Sequence, residues 1–90
     1  MNYHIITNRI TNERKKEIGK IINELIYSTY DSGVYWQDIY DHTQSHAIYG
    51  IPKDKVDDYK YKLKKLGATR FRVVKNSGNP ILCFNAEKIK

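Results

Sequence analysis

The spacing of apolar side chains changes character at Thr11. Before it, residues 3–10 (YHIITNRI) mix β-branched and aromatic side chains without a helical period, which predicts a short strand. After it, Ile18, Ile21, Ile22, Leu25 and Ile26 recur at i, i+3, i+4, i+7 and i+8, so one face of an amphipathic helix is predicted over 12–28. Thr11 suits the N-cap, and Glu13 sits in the first turn, where the helix dipole favours an acid. Asp31-Ser32-Gly33 is turn chemistry. In the middle, Trp36, Ile39, Tyr40, Thr43 and Ala47 fall at helical spacing, predicting a second helix over 34–44 and then a loop through 51. HAIYGI (46–51) reads alternatively as a short strand before Pro52.

Pro52 fits the first turn of a further helix, along which Val56, Tyr59, Leu63 and Leu66 form a narrow apolar seam. Gly67 stands where a C-cap glycine belongs. TRFRVVK (69–75) alternates, with Phe71 and Val73 on one side and Arg70, Arg72 and Val74 on the other. NSGNP turns the chain, and ILCFNA closes a hairpin. The expected fold is α+β and winged-helix-like: an N-terminal strand, three helices and a C-terminal β-hairpin in a single domain over 1–90. The alternative is a ferredoxin-like α+β sandwich, which requires a strand at 46–51.

Charge sharpens this picture through its distribution. Residues 1–30 carry a net +2, residues 31–52 a net −3 and residues 53–90 a net +7, together the formal +6 of the chain. A basic half of this kind points to a polyanion as partner, with an outward solvated face as the plain alternative. No apolar run is long enough to span a bilayer, the N-terminal residues lack the pattern of a signal peptide, and the single Cys83 cannot form an internal disulfide. A cytoplasmic protein is expected, with Cys83 a buried thiol in a strand.

The candidate residues follow from this charge. Lys60, Lys62, Lys64 and Lys65 lie around the seam of the 52–66 helix, and Arg70, Arg72 and Lys75 follow on the next strand. All are suited to phosphate contacts. Tyr61, an aromatic among cations, suits base stacking. The helix contains no Arg, Asn or Gln, the usual bidentate readers of base edges, so little base readout is expected. A second candidate surface is the acidic, aromatic 31–49 segment, with Tyr35, Trp36, Asp38, Tyr40 and Asp41 as protein-contact residues. His42 and His46 share a face if 34–44 continues as a helix, but Thr43 occupies the position of a metalloprotease glutamate and no further ligands are evident. No metal, cofactor or catalytic residue is therefore expected, and none of the Ser-His-Asp, phosphate-loop or dinucleotide signatures is present.

In the order of ITNRI, PKDKVDDYKYKLKKLG and RFRVVKNSGNPILCF, the chain resembles small winged-helix proteins of Firmicute phages and mobile elements. That resemblance implies a non-enzymatic DNA- or RNA-binding protein, single strands included. It equally accommodates an inhibitor of a host nucleic-acid-processing enzyme, of the anti-CRISPR kind, acting through 31–49. SHAIY is similar to the SHHIY-like strand of HicA-type ribonuclease toxins, which would make His46 catalytic. Pairing of two copies through 3–10 would give a homodimer.

Overall fold

The computed structural model describes residues 11–75 and 78–90. The strand expected over 3–10 lies outside them. The first described element is helix α1, Asn12–Thr29, whose N-cap Thr11 accepts a hydrogen bond from the Arg14 N–H at 3.1 Å. It buries Ile18, Gly19, Ile22 and Leu25 and ends at Tyr30 in the left-handed conformation. Strands β1 (Tyr35–Asp38) and β2 (His46–Tyr49) follow as an antiparallel hairpin. A 3-10 turn at Lys53–Lys55 leads into helix α2, Val56–Leu66, and then come β3 (Thr69–Val74) and β4 (Ile81–Asn85).

The four strands form one open antiparallel sheet in the order β1-β2-β4-β3. Strand β4, last in sequence, is thus central, and β1 and β3 are the outer strands among the described residues. Residues paired across neighbouring strands share a face. One face accordingly carries Trp36, Ile48, Leu82 and Val73 in one row and Asp38, His46 and Phe84 in the next. Both helices pack here: Ile18, Ile22 and Leu25 of α1 and Val56, Tyr59 and Leu63 of α2 join Ile48, Leu82 and Phe84 in one core. Fully burying one such side chain stabilises the fold by roughly 1.5–3 kcal/mol.

This architecture corrects the sequence expectation. There are two α-helices among the described residues, not three, because 34–44 is not helical: its first half is β1 and the remainder a loop. Without that helix the winged-helix arrangement is lost. Residues 46–49 do form a strand, but two hairpins joined along β2 and β4 replace the interleaved units of a ferredoxin-like sandwich. The hairpin is pinned at its open end by Gly33 and Gly50. Gly50 has φ 78°, and a Cβ there would lie 2.4 Å from the Gly33 carbonyl oxygen, an approach only glycine permits.

Trp36 fastens β1 to α1. Its indole Nε1–H donates to Asn23 Oδ1 at 2.7 Å, and its ring lies over Gly19, where a Cβ would come within 3.1 Å of the ring. The two helices are linked near Asp31, whose carboxylate accepts from Lys55 Nζ at 2.5 Å and from the Tyr59 hydroxyl at 3.0 Å. The Lys55 ammonium holds the Asp31 carboxyl below its usual pKa, and Asp31 in turn raises that of Lys55. Residues 86–90 then fold back beneath α2, burying Ala86 and Ile89 and bringing the Lys90 N–H to the Leu66 carbonyl at 3.0 Å.

Candidate nucleic-acid interface

Helix α2 presents its cations according to its seam. With Val56, Tyr59 and Leu63 buried, a period of 3.6 places Tyr61 and Lys65 away from the core and Lys60 and Lys62 on its two flanks. Tyr61 is 60% exposed, and Lys65 Nζ lies 5.3 Å from its ring centroid. Lys60 Nζ sits 5.9 Å from the Phe71 ring, which brings the lysine flank of α2 against β3. Lys62 pairs with Asp58 at 3.3 Å, while Lys64 is exposed.

On β3 the expected alternation holds from Phe71 to Val74 and is interrupted only at the start of the strand. Thr69 pairs with Asn85 and Arg72 with Cys83, so Arg70 and Phe71 together oppose Phe84 in a β-bulge. Arg70 takes φ 56° there, and its carbonyl accepts from Gln44 Nε2 at 2.9 Å. Phe71 lies on the helix-bearing side with Val73, as expected, 6.2 Å from the Phe84 ring. Arg72 emerges on the opposite face beside Cys83, whose thiol pKa is raised by burial. Arg70, Arg72 and Lys75 are all exposed, but the bulge prevents a single regular row.

The 31–49 segment looks different once folded. Only Tyr35 of its candidates is a largely exposed aromatic, 52% accessible and stacked on Tyr49 with centroids 5.1 Å apart. Trp36 is occupied with α1 as described above. Asp41 Oδ1 accepts from the backbone N–H groups of Thr43 (2.8 Å) and Gln44 (2.7 Å), which lower its pKa and hold the loop between β1 and β2. Asp38 Oδ1 lies 3.0 Å from His46 Nε2, and Tyr40 packs edge-on against the His46 ring at 5.6 Å.

His46 is wholly buried, among the rings of Trp36, Tyr40 and Phe84. Ser45 Oγ accepts the Ala86 N–H at 2.9 Å and lies 2.7 Å from His46 Nδ1. The hydroxyl keeps a second lone pair and its own proton, so it can either donate to Nδ1 or accept from it. The 3.0 Å contact of His46 Nε2 with Asp38 is not a hydrogen bond, and Nε2 has none among the described residues. Burial lowers the His46 pKa, with Asp38 opposing and Lys15 reinforcing the effect. The trio has the composition of a nucleophilic relay but the wrong geometry: Ser45 is buried and its oxygen is committed to the backbone. In this arrangement neither His46 nor Ser45 meets a substrate at the surface. His42 is exposed in the loop, so the two histidines do not share a helix face.

Sequence reasoning missed two features. One is the Asp38–His46–Ser45 cluster, in which Asp38 meets His46 only through the β1–β2 pairing. The other is an open groove beside the start of α2. Comparison with known protein families, with curated proteins and with solved structures finds no match. No helix among the described residues is long and apolar enough to cross a membrane.

Proposed function

We propose that this protein is a non-enzymatic nucleic-acid-binding protein that holds the phosphate backbone through α2 and β3, with little base readout. The observation that carries this reading is that the cations there are not consumed by internal acids. Of Lys60, Lys62, Lys64, Lys65, Arg70, Arg72 and Lys75, only Lys62 is in an ion pair among the described residues. Of the acids of the 31–49 segment, by contrast, Asp31 is paired with Lys55 and Asp41 is held by backbone N–H groups. Exposed Tyr61 beside Lys65 adds a stacking surface next to a charge, the combination that single strands use. The absence of Asn, Gln and Arg from α2 supports contact with the backbone over contact with base edges.

Fluorescence anisotropy with labelled single- and double-stranded DNA and RNA at low salt tests the proposal. Retention that weakens steeply with salt is the expected result, with a log–log slope near −0.7 per phosphate contacted on a single strand. Replacing Lys64, Lys65, Arg70 and Arg72 together by alanine reduces both affinity and slope. Absence of binding to every one of these probes at low salt rejects the reading.

A further inference from the structure

The start of α2 and the β3–β4 hairpin enclose an open groove of about 530 Å³, a size within the range of small-ligand clefts. Val56, Val73 and Pro80 supply apolar lining, and Lys53, Lys75 and Asp57 its charged groups. Val73 pairs with Leu82 on the core face of the sheet, yet it is 36% exposed, because α2 begins at Val56 and leaves the end of β3 uncovered. Lys55, in the same 3-10 turn as Lys53, is tied to Asp31. Lys53 and Lys75 make no ion pair among the described residues, and both are exposed.

We propose that this groove seats one base of a single-stranded nucleic acid, with Lys53 and Lys75 holding the phosphates on either side of it. The inference rests on the nucleic-acid reading above and names where that ligand enters the fold. Aliphatic side chains and two cations that are unpaired among the described residues line the same groove, a combination that suits a nucleotide, which joins a flat, weakly polar ring to an anionic linkage. Asp57, the one acid of the lining, limits the groove's excess positive charge and disfavours a multiply charged phosphate cluster. The groove also adjoins the end of β3, because Lys75 directly follows that strand.

The test uses the full chain and a labelled single-stranded oligonucleotide of about 20 residues, long enough to cover one small domain. The double variant Lys53→Ala/Lys75→Ala is compared with Lys16→Ala/Lys20→Ala, which removes equal charge from the exposed side of α1. The groove variant is expected to bind about tenfold more weakly and to reduce the salt slope by about 1.4, two single-strand phosphate contacts. The α1 variant is expected to change affinity less than about threefold, by long-range charge alone. Val73→Asn is expected to weaken binding severalfold while leaving the slope unchanged, and thermal melting verifies folding of each variant. Equal losses in the two double variants together with an unaffected Val73→Asn overturn the groove and leave the nucleic-acid reading standing. Failure of the unaltered protein to bind removes both.

Discussion

The Tyr40 hydroxyl is buried and has no hydrogen-bond partner among the described residues, although the ring beneath it is well used. That ring meets His46 edge-on at 5.6 Å and lies under Lys15 Nζ at 4.6 Å. Tyr40→Phe deletes the oxygen and keeps both contacts. An unsatisfied buried hydroxyl costs about 1–3 kcal/mol, whereas losing one oxygen's dispersion contacts costs only a few tenths of that. The net expectation is a stabilisation of about 1 kcal/mol, or a rise in Tm of about 4–8 °C in a domain of this size. Urea unfolding followed by fluorescence of the only tryptophan provides the assay, since Trp36 packs 5.4 Å from His46 and senses this region. A second readout is alkaline pH. Burial first, and the Asp38 charge second, push the Tyr40 pKa up to about 12, above the value of 10 that an unfolded chain retains. The unfolded state therefore releases its proton first, and stability falls as pH rises from about 10 toward 12. Tyr59, raised mainly by burial, contributes in the same direction, so the variant shows a shallower decline and not a flat one. Destabilisation of about 1 kcal/mol or more on Tyr40→Phe would refute the argument, by showing that the hydroxyl holds a partner in solution.

His46 predicts a dependence at the other end of the scale. Its folded pKa lies below the unfolded value of 6.5, so the unfolded chain takes up the proton first and stability declines as pH falls through about 6.5. His46→Gln flattens the stability curve between about pH 7 and pH 5, whatever it costs at neutrality, and an unchanged slope contradicts the assignment. Gly67→Ala places a Cβ 2.3 Å from the Lys88 carbonyl oxygen at φ 114°, so chemical denaturation is expected to show a loss above the roughly 1 kcal/mol of the backbone term alone. Gly19→Ala forgoes most of the roughly 1 kcal/mol that helix propensity offers, because the new methyl pushes on the Trp36 ring. A shifted emission maximum supports this, whereas a full gain in stability with unchanged emission opposes it.

Helices α1 and α2 were legible because each has a capping residue at one end and an apolar stripe that obeys a single period. Segment 34–44 was not legible, for a physical reason. The inward face of β1 is Trp36 and Asp38, and an acid at an inward position hides the alternation that marks a strand. Asp38 is tolerated there because its side chain stays half exposed at the end of β1, with His46 opposite it on β2, a placement that periodicity along one strand cannot reveal. The β3 bulge was equally hidden, since an arginine at positive φ carries no local signal. Within the candidate interface, the charges of α2 and β3 could be read directly, but their availability could not. That Lys55 is tied while Lys53 is free depends on Asp31, a residue brought near by the fold.

The placement of β4 also governs how the molecule is made. The strand that joins the two outer halves of the sheet is made after the other three described strands, so the β1–β2 hairpin and β3 have no shared neighbour until it arrives. Most of the sheet's long-range pairing is then completed in one late step, which raises contact order and slows folding. Nascent chains halted before residue 81 are therefore expected to remain sensitive to proteases along both α1 and α2, because the Leu82 and Phe84 floor beneath them has not been inserted. Synthesis and folding are coupled at the same strand that holds the two hairpins together.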